Sequence, residues 1–135
     1  MKMFDVQGIA ISAPQARAFT YIADRAKLPA WTNAFASVTT EHAVLRTPNG
    51  EMQIGLAVQS SPVHGTVDWI MTFPDGSVAL AYSRVMSLDA QNCVYTFVLT
   101  PPPVPLEQLE GALQAQSKTL AEELIKLKKI LENNG

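Results

Sequence analysis

A second cysteine is missing from this chain, and with it any internal disulfide or thiolate-based metal cage. Cys93 stands alone, so a reducing compartment, and with it a cytoplasmic location, is the expectation. Charge is scarce as well: 16% of residues are charged, and ten basic against twelve acidic side chains leave a net charge of −2. Such a balance offers no basic surface to steer the protein toward nucleic acid. No run of about 18 apolar residues occurs, which excludes an integral membrane helix. The opening Met1-Lys2-Met3-Phe4-Asp5 puts an acid where a signal peptide needs an apolar run. No nucleophile motif accompanies Cys93 or the serines, and the two histidines, His42 and His64, have no metal-ligand spacing. Neither a metal nor a cofactor is expected.

What the chain does have is apolar surface. Hydrophobic residues make up 47% of its 135 positions, enough for a packed core and too many for intrinsic disorder. At this length a single domain, 1–135, is the expectation, because two halves would each have a marginal core.

The pattern changes twice along the chain. Residues 3–12, with Val6, Ile9 and Ile11, read as an opening strand. Ser12 and Gln15 then form a capping-box pattern, Pro14 suits a first helical turn, and Ala16, Phe19, Ile22 and Ala23 give the helix one apolar face. Asp24 is placed to cap a second short helical piece, which Pro29 interrupts before Trp31 and Phe35. From about residue 36 to residue 100, turn chemistry recurs at Pro48-Asn49-Gly50, Ser60-Ser61-Pro62, Pro74-Asp75-Gly76 and Asp89-Ala90-Gln91-Asn92, the rhythm of an antiparallel meander.

Between those turns, residues alternate. Met52, Ile54, Leu56 and Val58 share one face; so do Val67, Trp69, Met71 and Phe73, and likewise Cys93, Tyr95, Phe97 and Leu99. In the segment between, the large Val78, Leu80, Tyr82, Met86 and Leu88 oppose the small Ser77, Ala79, Ala81 and Ser83, so the large set is assigned to the core. After Pro101-Pro102-Pro103, a helix is predicted from Pro105 to about Asn133. Its leucines at 106, 109, 113, 120, 124, 127 and 131 fall in one narrow stripe. This stripe covers the sheet. The sheet's other face is poor in charge and is a candidate contact in a homodimer.

The run Ile11-Ser12-Ala13-Pro14-Gln15-Ala16-Arg17-Ala18-Phe19-Thr20-Tyr21-Ile22-Ala23-Asp24, followed by Leu28-Pro29-Ala30-Trp31, resembles the opening of the SRPBCC superfamily. That group includes START-type lipid-transfer domains, birch-pollen-allergen-like proteins and the polyketide cyclase/dehydrase family, to which the chain is most similar. The resemblance implies an α+β helix-grip fold. A curved antiparallel sheet of about seven strands, in the order strand, two helices, six strands, helix, would wrap the long last helix and leave a cavity. The glycine-rich loop of the pollen-allergen branch is missing, so phosphate cradling gains no support.

Within such a cavity the large residues Trp31, Phe35, Met52, Trp69, Met71, Tyr82, Tyr95 and Phe97 are the expected lining, together with Leu113 and Leu120 on the helix. The leucine stripe has a gap where Gln116 and Ser117 should point inward, a turn that must face water, a ligand or a polar partner. Arg84, in phase with Tyr82, is a candidate anchor for an acidic ligand group. Three functions are open. A binding protein would hold a small hydrophobic or amphipathic molecule, lipid-, polyketide- or aromatic-like. A cyclase or dehydratase would use the same cavity, moving protons with His42, Tyr82 or Arg84. A protein-interaction module would have the cavity closed. A pocket above about 300 Å³ is expected for the first two.

Overall fold

The structure, a computed structural model, describes residues 3–47, 50–100 and 106–133. Strand β1 (Asp5–Ile11) leads into helix α1 (Gln15–Ala23), a 3₁₀ turn (Arg25–Lys27) and the one-turn helix α2 (Leu28–Trp31). Six strands follow: β2 (Phe35–Val38), β3 (His42–Thr47), β4 (Gly50–Ser61), β5 (Thr66–Thr72), β6 (Val78–Asp89) and β7 (Asn92–Leu99). Helix α3 (Leu106–Asn133) ends the described chain. All strand pairs are antiparallel, in the spatial order β1-β7-β6-β5-β4-β3-β2. The meander is thus continuous from β2 to β7, and β1 closes it by pairing with β7. This is the curved α+β helix-grip arrangement.

The junctions are fixed partly by local and partly by long-range contacts. The capping box expected at Ser12 does not form: Pro14 is the first residue outside α1 and no side chain caps it. Instead the Ser12 amide donates to Glu132 of α3 at 2.8 Å, and Gln15 reaches the Val85 carbonyl at 3.2 Å. Tertiary partners outcompeted the local pair. Asp24 does cap, accepting the Ala26 amide at 3.0 Å. At the β4–β5 turn, Gly65 takes a φ of +72°, and a side chain there would start 2.3 Å from the Val85 carbonyl oxygen, whose own amide donates to Gly65. Only glycine fits that approach.

Helix α3 lies beside β1 and against α2. Its Leu120, Leu124, Leu127 and Leu131 are all buried, as the stripe predicts, and join a core with Ile11, Ile22, Leu28, Trp31, Ile54, Val67 and Tyr95. The predicted prolines at 101–103 and 105 lie outside the described residues, as do the side chains of Leu106 and Leu109. No described helix is long and apolar enough to cross a membrane.

Candidate functional site

Strand β6 corrects the sequence reading. Its alternation is as expected, but the faces are reversed: Ala81, Ser83 and Val85 are buried, while Tyr82 is 42% exposed and Arg84 also faces out. The reason lies in its neighbours. Ala81 pairs with Trp69 on β5, and Ser83 pairs with Phe97 on β7. The Trp69 and Phe97 rings stack across β6 with centroids 5.7 Å apart and planes inclined by 26°. Two large rings can meet over a strand only if its own inward side chains are small.

This stack is part of a wall. Trp31 on α2 lies 6.4 Å from Trp69, and Tyr95 meets both Trp31 and Phe97 edge-on. Between the wall and α3 a space of about 200 Å³ is left unfilled. That volume is smaller than the expected 300 Å³, because the aromatic cluster packs on itself and takes up part of the grip. Trp31, Phe35, Trp69, Met71 and Phe97 border the space, with Leu120 and Gln116 on the helix side. The small Ala79 and Ala81 leave the room on the sheet side.

The other expected lining residues are elsewhere. Tyr95 is fully buried behind the wall, its hydroxyl beside Ser83 without hydrogen-bond geometry, and burial pushes its pKa up. Met52, near the start of β4, is 37% exposed, and Leu113 is buried in α3 without bordering the space. His42 is exposed on β3. Arg84 donates through Nε to the His64 carbonyl at 3.0 Å on the outer face, so it anchors nothing inside. Tyr82 and Arg84 are therefore removed from the cavity.

The gap in the leucine stripe resolves into two different residues. Ser117 is satisfied by β1: its hydroxyl donates to Asp5 at 2.6 Å, and Gln7 donates to both its carbonyl and its hydroxyl, at 2.8 and 3.1 Å. Gln116 remains exposed at the rim of the cavity.

One residue of the site was missed from the sequence. Glu123 is 9% exposed and borders the cavity. Its carboxylate accepts the Asn33 amide at 2.5 Å, tying α3 to the α2–β2 connection. Burial raises its pKa, opposed by the amides of Asn33 and Ala34 and by Lys126, while Glu122 adds to the rise. A signal existed. Position 123 is three beyond Leu120 and four before Leu127, so it lies on the apolar stripe, where an acid needs a reason. Thr32 and Thr100 also border the space; their hydroxyls donate to the carbonyls of Leu28 and Leu80.

In sequence, no family model and no curated protein matches the chain. In structure it is similar to several solved proteins. A START superfamily protein from Mycobacterium smegmatis superposes with a TM-score of 0.73 at 9% identity, over 99% of this chain and 100% of that one. The Zhui aromatase/cyclase from Streptomyces sp. R1128 gives 0.65 at 10% identity, over 97% and 92%. The di-domain aromatase/cyclase StfQ of the steffimycin biosynthetic pathway gives 0.72 at 12% identity, over 98% of this chain and 51% of that one. The chain has a START-like fold.

Proposed function

We propose that this START-like chain, acting as one domain over residues 1–135, binds a small apolar or amphipathic molecule in the space between the sheet and α3. The observation that carries the proposal is the unfilled volume of about 200 Å³ bordered by Trp31, Trp69, Phe97, Phe35 and Met71. A dry apolar cavity of about 150 Å³ accepts benzene, so a single ring or a short aliphatic chain is the size class. Burying the guest's apolar surface contributes about 25 cal/mol per Å². Similar structures that are aromatase/cyclases fit an aromatic guest. The cyclase reading calls for ionisable groups converging on the guest, and among the described lining residues Glu123 alone is ionisable. The interaction-module reading calls for a filled interior.

Both tryptophans of the chain stand in the cavity wall, so intrinsic fluorescence reports on its contents. Titration with single-ring and short-chain compounds is expected to change the emission. Ala79→Leu, which projects a larger side chain into the space, is expected to abolish that change while leaving the thermal midpoint within a few degrees. Unchanged emission across the whole series, with no small molecule retained in native mass spectra, would refute the proposal.

A further inference from the structure

The cavity wall has a sign. Glu123 is the only ionisable side chain among its described residues, and no described cation lies within ion-pair distance of it. Lys126 acts on it only from an exposed position three residues along α3, next to the like-charged Glu122. Arg46 reaches the same connection from the exposed side, donating to the Asn33 carbonyl at 3.1 Å rather than to Glu123. The polar groups beside the carboxylate present oxygen lone pairs as well. Thr32 and Thr100 have already spent their protons on backbone carbonyls, which leaves their hydroxyl oxygens as acceptors. The indole N–H groups of Trp31 and Trp69 find no partner, but they are sealed within the wall. Opposite stand the aromatic rings, whose π-faces attract cations.

We infer that the preferred guest is a small organic cation, a primary ammonium on a single ring or short chain, with its charge at Glu123 and its apolar body against Trp31, Trp69 and Phe97. This deepens the proposed function and rests on it. The chemistry favours that class over an acid. An ammonium entering the space leaves water but gains a carboxylate, hydroxyl oxygens and ring faces, which together compensate its lost hydration. A ligand carboxylate would meet a like charge and no cation. The candidate anchor read from the sequence, Arg84, favoured acidic ligands; with Arg84 outside and Glu123 inside, the preference inverts.

The test uses four molecules of similar shape: benzylammonium, benzyl alcohol, toluene and benzoate. Their binding is followed through the indole N–H resonances of Trp31 and Trp69 in nitrogen-15-labelled protein. Benzylammonium is expected to bind at least about tenfold more tightly than benzoate. Glu123→Gln keeps an oxygen for the Asn33 amide, and it is expected to erase that preference while benzyl alcohol binds as before. A benzoate affinity equal to or above that of benzylammonium, measured on the unaltered protein, would overturn the inference while leaving the cavity reading standing. So would a preference that survives in a folded Glu123→Gln protein. Failure of all four molecules to shift either resonance would overturn both.

Discussion

The two ends of α3 are built from the same helix and do opposite things. From Leu120 to Leu131 its inward positions, Glu123 apart, are leucines with at most 4% of their surface exposed, set against α1, α2 and the sheet. From Gly111 to Thr119 only Leu113 is buried; Ser117 bonds to β1, and Gln116 and Thr119 border the open space. One end closes the core, and the other leaves it incomplete. A fold of this size can leave a hollow only where another region supplies the cohesion, since every apolar contact missing from the cavity must be offset elsewhere. The leucine end, together with the aromatic wall, provides it.

That division is easiest to break at its tight end. Leu127 is fully buried, and Leu127→Ala is expected to destabilise the protein by about 2–5 kcal/mol in denaturant unfolding, the range for a leucine truncated in a packed core. A loss below about 1 kcal/mol would mean that the tight end can collapse around a gap, and the contrast would fail.

A smaller effect is expected at Glu123, on the border of the two ends, where it depends on pH. Because burial raises its folded pKa above the ordinary 4.5, the folded protein holds that proton more firmly than the unfolded chain does. Ionised Glu123 therefore costs stability, fully above its folded pKa, and the cost is relieved as pH falls toward 4.5. Glu123→Gln, free of this cost, is expected to gain in thermal midpoint relative to the parent as pH rises from acid to neutral. A constant difference across that window would show that the carboxylate is already solvated. The half-buried Glu132 carries the opposite sign, since Lys128 and the Ser12 amide hold its carboxyl below the usual range. Its contact from α3 to the start of α1 is expected to weaken as pH falls through that lowered value.

The smallest effect belongs outside both ends. Arg84→Ala removes one exposed hydrogen bond on the outer sheet face and is expected to change stability by no more than about 0.5 kcal/mol. It is also expected to alter the affinity of acidic and neutral ligands equally little. A selective loss of acidic ligands would return Arg84 to the binding site and undo the assignment of faces in β6.

Much of the fold was legible because its signals are local. The Pro74-Asp75-Gly76 turn, the period-two segments, the Asp24 cap and the leucines from 113 to 131 each depend on neighbours within a few positions and appear where they were expected, while Pro48, Asn49 and the side chains of Leu106 and Leu109 lie outside the described residues. The long-range choices were not legible. Gln15 took the Val85 carbonyl rather than a capping box, and Ser117 found Asp5 across 112 positions of chain. In β6 the rule that large residues go inward gave way to the needs of two flanking strands.

Chain chemistry alone therefore dictates where strands, turns and the last helix lie and which side chains share a face, because backbone geometry repeats every two or 3.6 residues whatever surrounds it. It leaves open which face of β6 turns inward and what the cavity offers a guest. Packing makes that choice: Trp69 and Phe97 need the space above Ala81 and Ser83, so Tyr82 and Arg84 go out, and Glu123, held by the Asn33 amide, is left as the charge inside.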